Sequence, residues 1–159
     1  MRFSVRSLTQ ADAEALAAWG YPGEYAFYDF TADPLDLALL LDPERRGSMF
    51  HAADGEDGRL AGFFQVEPLA EGVELGLALR PDLCGLGLGE GFTRLGIELV
   101  RRVHGPVRVT LAVAAFNVRA ITVYERCGFV ESGRHMRHTS GDDWEFVDME
   151  LSSPEGAGG

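Results

Sequence analysis

Arg80-Pro81-Asp82-Leu83-Cys84-Gly85-Leu86-Gly87-Leu88-Gly89-Glu90 separates two stretches of different periodicity, and its reading decides the fold. Before it, Val73, Leu75, Leu77 and Leu79 alternate with Glu74, Gly76, Ala78 and Arg80. That period of two predicts a strand with one apolar face and one face carrying a carboxylate, ended by Pro81. After it, Phe92, Leu95, Leu99, Val100 and Val103 recur at helical spacing as far as His104-Gly105-Pro106, with Arg101 and Arg102 in the last turn. Within the turn, alternate glycines remove Cβ atoms, so successive backbone N–H groups can converge on an anion while the helix dipole adds positive potential. Phosphate or pyrophosphate is the natural guest; a tight strand-to-helix connection is the alternative that the turn alone leaves open. The spacing fails the dinucleotide fingerprint GxGxxG, because Glu90 and Phe92 stand where its final glycine belongs, and it fails the Walker pattern for want of a lysine.

Working outward, Val107, Val109, Leu111 and Val113 alternate as a further strand, and Ala120, Tyr124 and Cys127 share a helical face that stops at Gly128. Strand, glycine turn, helix, strand, helix is an α/β core. Phe129 to Met136 and Trp144 to Leu151, split by a turn over Thr139 to Asp143, predict a closing hairpin. Upstream, Ser48 to Ala53 and Leu60 to Val66 form another hairpin around Asp54 to Gly58. Phe3, Val5 and Leu8 open the chain as a strand, and Asp12 to Trp19 is a short helix. Asp33 and Pro34 start a second helix through Leu37, Leu40 and Leu41 that ends before Gly47. Tyr21 to Phe30 gathers aromatics and acids around Pro22 and Gly23, which is the chemistry of a lining loop. Residues 1–151 are expected to form one domain and residues 152–159 a flexible tail.

Composition narrows the function. The length of 159 residues suits one domain with a sizeable core, and 46% apolar with 25% charged residues is ordinary for a globular protein. No apolar run reaches the about 18 residues of a membrane span, and the first residues lack the apolar core of a signal peptide, so a cytoplasmic, membrane-free protein is expected. A formal net charge of -11 argues against nucleic acid as partner and accommodates a cationic or amine-bearing one. All 14 basic residues are arginine, which excludes Schiff-base lysine chemistry. Cys84 and Cys127 lie in unrelated contexts, and His51, His104, His135 and His138 offer no ligand spacing, so no metal site is expected.

The turn and the helix after the next strand together resemble the GNAT superfamily of N-acetyltransferases. Cys84-Gly85-Leu86-Gly87-Leu88-Gly89 is similar to that family's acetyl-CoA motif, (Arg/Gln)-x-x-Gly-x-(Gly/Ala). Asn117-Val118-Arg119-Ala120-Ile121-Thr122-Val123-Tyr124-Glu125-Arg126-Cys127-Gly128-Phe129 looks like its N-x-x-A-x-x-x-Y-x-x-x-G-F block. The resemblance covers Leu60 to Phe129 and implies a mixed, mostly antiparallel sheet of six to seven strands flanked by about four helices. It also implies transfer of acetyl from acetyl-CoA to an amine, either a small molecule or a protein amino group, and it allows a homodimer. A non-catalytic module of the same fold that binds CoA or a phosphate ligand is the alternative. Tyr21 to Arg46 matches no motif and should shape the acceptor site.

The resemblance assigns coenzyme contact to Leu77, Ala78 and Leu79 on the strand, to Cys84, Gly85, Leu86, Gly87, Gly89 and Glu90 in the turn, and to Asn117, Ala120 and Tyr124 on the following helix. Cys84 departs from the pattern, so phosphate there must rely on backbone N–H groups or on a nearby arginine such as Arg119. Cys84 is read as packing under the turn rather than as a nucleophile, because no histidine adjoins it. Acetyl transfer needs a base, an oxyanion donor and a proton for the departing thiolate. Glu74 is the candidate base, with a solvated carboxylate as its alternative, and Tyr124 the candidate acid, with core packing as its alternative. A backbone N–H near Leu77 or Ala78 is the implied oxyanion donor, where the fourth strand should part from the fifth. Asn117 either bonds the coenzyme arm or caps the helix.

Overall fold

Apolar alternation and helical periodicity resolve into one sheet with a helical layer on each face. The computed structural model describes residues 1–151. Its strands are β1 (Ser4–Ser7), β2 (Phe50–Asp54), β3 (Leu60–Leu69), β4 (Gly72–Leu79), β5 (Val109–Ala114), β6 (Val130–Thr139) and β7 (Asp142–Leu151). They pair in the order β1-β2-β3-β4-β5-β7-β6, and every pairing is antiparallel except β4 with β5. The helices are α1 (Gln10–Ala18), α2 (Pro34–Leu41), α3 (Pro43–Arg46), α4 (Gly89–His104) and α5 (Val118–Arg126), with 3₁₀ turns at Gly23–Tyr28, Phe30–Ala32 and Pro81–Leu83. The mixed, mostly antiparallel sheet is the one expected. The tail at 152–159 lies outside the described residues.

The helix α4 buries Phe92, Ile97, Leu99 and Val100 against Phe64, Leu75, Val109 and Leu111 of the sheet. Each fully buried side chain of this size contributes roughly 1.5–3 kcal/mol relative to exposure. Phe92 stacks on Phe64 with ring centroids 4.4 Å apart. A Cβ at Gly96 would lie 2.8 Å from Phe64 Cε1, so glycine there sets how closely α4 approaches the sheet. Val103, predicted on the apolar face, is 52% exposed because the last turn runs past the edge of the core. The opposite face is covered by α1 and α2, where Ala13, Leu16 and Leu40 pack on Phe50 with Phe30 and Phe63 around them.

Three expectations change in detail. The helix expected from Asp33 to Gly47 is two helices, because Asp42-Pro43 repeats the cap of Asp33-Pro34: each aspartate accepts from the two N–H groups that follow its proline. Five α-helices therefore flank the sheet among the described residues, where about four were expected. The closing hairpin is longer and its turn tighter, since Ser140 (φ 51°) and Gly141 (φ 81°) alone connect β6 to β7. Positive φ at both positions gives the turn the twist of its strands.

Candidate active site

Only Val73 with Val109 and Glu74 with Thr110 are in register between β4 and β5. Beyond Glu74 the strands diverge, while β4 keeps its partners on β3 as far as Leu79 and β5 keeps its partners on β7 as far as Ala114. The facing edges of Leu75–Leu79 and Leu111–Ala114 are thus left without sheet partners, and a cleft of about 820 Å³ runs through the gap. Tyr21 Oη takes up one freed carbonyl by donating to Leu79 O at 2.7 Å.

At one end of the cleft lies the glycine turn. Gly85 (φ 76°) and Gly87 (φ 79°) occupy the left-handed region that disfavours other residues. No side chain caps α4 at Leu88, so the N–H groups of its first turn keep the free valences that a helix start always carries. Arg119 Nη1 lies 3.4 Å from where a Cβ on Gly85 would stand, and its guanidinium is held over the Tyr25 ring at 4.8 Å. A cationic side chain therefore adjoins the turn although Cys84 stands in the motif's Arg/Gln position. Gly89 has a different role from Gly87: its Cβ would lie 3.4 Å from Val123 of α5, so its lack of a side chain serves helix packing. Cys84 Sγ sits 3.8 Å and 3.7 Å from the carbonyls of Leu79 and Arg80, under the turn as expected. Burial raises its pKa more than Arg119 lowers it, so the group is a thiol and not a nucleophilic thiolate.

Glu74 stands at the apex of the wedge, opposite Glu67 on β3 and Thr110 on β5. Burial and then the like charge of Glu67 raise its pKa, against the pull of Arg137. A carboxylate with a raised pKa is a stronger base than a solvated one. Across the gap, Tyr124 on α5 is raised above the ordinary phenol range by burial and then by Tyr28, and so keeps its proton. Asn117 caps α5, its Oδ1 accepting from Ala120 N at 3.2 Å, while its Nδ2 donates to Tyr28 Oη at 3.0 Å. Both halves of that amide are engaged within the chain.

Of the residues singled out, Glu74, Leu77, Ala78 and Leu79 line the cleft from β4, and Cys84, Gly85, Gly87, Gly89 and Glu90 from the turn and α4. Asn117, Ala120 and Tyr124 line it from α5 and its cap. Leu86 is 63% exposed and outside the lining, its side chain turned to solvent between two positive-φ glycines, which leaves its main chain as the part that could meet a ligand. Sequence reasoning missed Tyr28, Glu67 and Arg137, which also line the cleft. The aromatic density of Tyr21 to Phe30 signalled the first; nothing local marks the other two. Of the acids Glu24, Asp29, Asp142 and Asp143, only Asp29 reaches the lining. Among the described residues no three His, Cys, Asp or Glu side chains converge as metal ligands, and no helix is long and apolar enough to cross a membrane.

Comparison with known proteins agrees with this geometry. The profile of the Acetyltransferase (GNAT) family matches residues 8–129. The mycothiol acetyltransferase of Geodermatophilus obscurus is 44% identical over 62 residues, 39% of this chain and 20% of that protein. That of Streptomyces coelicolor is 40% identical over 77 residues, 46% of this chain and 25% of that protein. The chain thus spans a quarter or less of the length of these curated relatives within the matched region. Among solved structures, spermidine N-acetyltransferase from Vibrio cholerae in complex with CoA and spermine superposes with a TM-score of 0.76 at 18% identity, covering 94% of each chain. A chimera of that enzyme and hSSAT superposes with a TM-score of 0.73 at 17% identity over 100% of each. These two likenesses establish the fold.

Proposed function

The chain belongs to the GNAT acetyltransferase family, and on that premise we propose that it moves an acetyl group from acetyl-CoA to an amine by direct attack in a ternary complex. The observation that carries the reading is the parting of β4 from β5 directly after the half-buried Glu74. It supplies in one place a channel with free main-chain groups, a base at its apex and a phenol on its far wall.

Acetyl-CoA suits the two ends of the cleft. The left-handed glycines, the uncapped start of α4 and Arg119 provide an anion cradle for its pyrophosphate. The unpaired edge of Leu77, Ala78 and Leu79 offers partners to its amide-bearing arm. Bound there, it supplies an acyl group on a departing thiol. Glu74 takes a proton from the acceptor ammonium, freeing the nitrogen lone pair to form the C–N bond. A main-chain N–H near Leu77 or Ala78 holds the carbonyl oxygen as negative charge gathers on it. Tyr124 gives its proton to sulfur as the C–S bond breaks, the second proton shed by nitrogen as it becomes an amide returns the phenolate to a phenol, and Glu74 releases its proton to solvent.

The test is amine-dependent thiol release from acetyl-CoA, with the acylated product identified by mass. Tight CoA binding without thiol release across a broad amine panel would favour the non-catalytic module, and absence of CoA binding would remove the donor assignment.

A further inference from the structure

Arg137 on β6 is the cleft's basic residue on the side away from the glycine turn; the other two lining arginines, Arg119 and Arg126, belong to α5. Its guanidinium lies over the ring of Phe146, 4.5 Å from the centroid, and among the described residues it forms no ion pair. It is nevertheless held. Asp148 Oδ2 is 2.9 Å from His135 Nδ1, and the His135 ring stacks on Phe146 with centroids 5.7 Å apart and an interplanar angle of 19°. With Asp148 accepting from Nδ1–H, Nε2 is left as an acceptor, and it faces Arg137 Nη2 at 3.4 Å. Asp148, His135 and Phe146 thus fix a guanidinium at the cleft wall and leave its remaining N–H donors without partners among the described residues.

The rest of this arm is acidic. Asp33, Asp36, Glu67 and Glu74 line it. Asp33 is engaged, accepting from Thr139 Oγ1 and from the N–H groups that open α2, while no ion pair joins Asp36, Glu67 or Glu74 to a basic residue among those described. Arg137 on β6, Asp36 on α2 and Glu74 on β4 line the same cleft. An acceptor that is only cationic satisfies the carboxylates but must tolerate the guanidinium, and one that is only anionic meets the reverse conflict. A zwitterion satisfies both, and a planar fork of N–H donors is suited to a carboxylate.

Resting on the acetyl-transfer reading, we propose that Arg137, positioned by His135 and Asp148, binds a carboxylate of the acceptor, so that the substrate is an amine that also carries a carboxyl group, its ammonium directed to Glu74. His135 is in this scheme a positioning residue: it acts on substrate only through Arg137.

The experiment measures kcat/KM for α-, β- and ω-amino acids, each paired with its carboxamide, in the parent protein and in Arg137→Gln, Arg137→Lys and His135→Ala. The intrinsic reactivity of each amine cancels when a variant is compared with the parent. In Arg137→Gln the acid-to-amide ratio of kcat/KM should fall about tenfold or more, through KM for the acid, and Arg137→Lys should restore part of it. His135→Ala should lower the same ratio and add little when combined with Arg137→Gln, since both remove one interaction. An acid-to-amide ratio unchanged in Arg137→Gln overturns the carboxylate subsite and leaves acetyl transfer standing. So does a parent protein that acetylates carboxyl-free amines but none of the amino acids. A protein that acetylates no amine in the panel overturns both readings together.

Discussion

In the proposed mechanism Glu74 and Tyr124 divide the proton handling between them, and each division can be read in kinetics. A base works only when ionised, so with Glu74 raised by burial and by Glu67, activity should fall with decreasing pH at a higher pH than an ordinary glutamate would give. Glu67→Gln removes the second cause: the pKa of Glu74 drops, and the acid limb of kcat/KM should move to lower pH. A limb that stays in place would assign the titration to another group. Glu74→Gln should cost on the order of 10²-fold or more, most severely where the free amine is scarce. Tyr124→Phe keeps the ring against Phe129, 6.1 Å between centroids, and removes only the proton. Thermal stability and CoA affinity should change little while kcat falls by roughly 10² to 10⁴. Turnover at the parental rate, with a substrate for which chemistry is limiting, would make Tyr124 a packing residue. Tyr28, whose oxygen accepts from Asn117, would then be the phenol to test next.

The elements that matter most are the start of α4 and the gap beside it. Gly87 and Gly89 look equivalent in the motif, yet one holds a left-handed backbone and the other faces α5. Gly87→Val forces a branched side chain into that backbone, at roughly 1–3 kcal/mol of strain, and disturbs the N–H groups that the proposed complex directs at the pyrophosphate. Calorimetric CoA affinity should therefore drop. Gly89→Ala adds a Cβ toward Val123 at an acceptable distance, in the ordinary helical region, and should weaken CoA binding far less. Equal losses in the two variants would mean that the turn does not hold phosphate through its backbone. The Asp-Pro caps illustrate the same point about elements. Asp33-Pro34 is legible as a helix start, and its repeat at Asp42-Pro43 opens a second helix although the leucine run of α2 has the spacing of one continuous helix.

Across the whole molecule, a single sheet separates two apolar layers, one under α4 and α5 and one under α1 and α2, and the cleft passes from the first to the second where β4 and β5 part. The glycine turn and Tyr124 approach from the α4 and α5 side. Asp33, Asp36 and Phe30 line the cleft from the α1 and α2 side, and in the proposed reading this motif-free segment shapes the acceptor arm. The acidic balance of the chain, -11 in formal charge, recurs locally in that arm, with Arg137 as the exception.

Sequence alone determined what local periodicity and backbone chemistry can encode. The alternation of Val73 to Leu79, the helical spacing from Phe92 to Val100 and the glycines between them specified strand, turn and helix in order. The motif block after β5 then brought Tyr124 and Asn117 into consideration, and the polar face of the strand before the turn brought Glu74, because their residue types match what acyl transfer needs. Tertiary structure decided everything that depends on which strands neighbour one another. Glu67 acts on Glu74 because β3 and β4 pair in that register, and Tyr28 meets Asn117 across 89 positions of chain. Arg137 enters the cleft because β6 is carried past it by its pairing with β7, while Leu86, inside the motif, turns away because the backbone on both sides of it is left-handed. Such contacts are set by the packing of distant segments, and one-dimensional spacing carries no record of them.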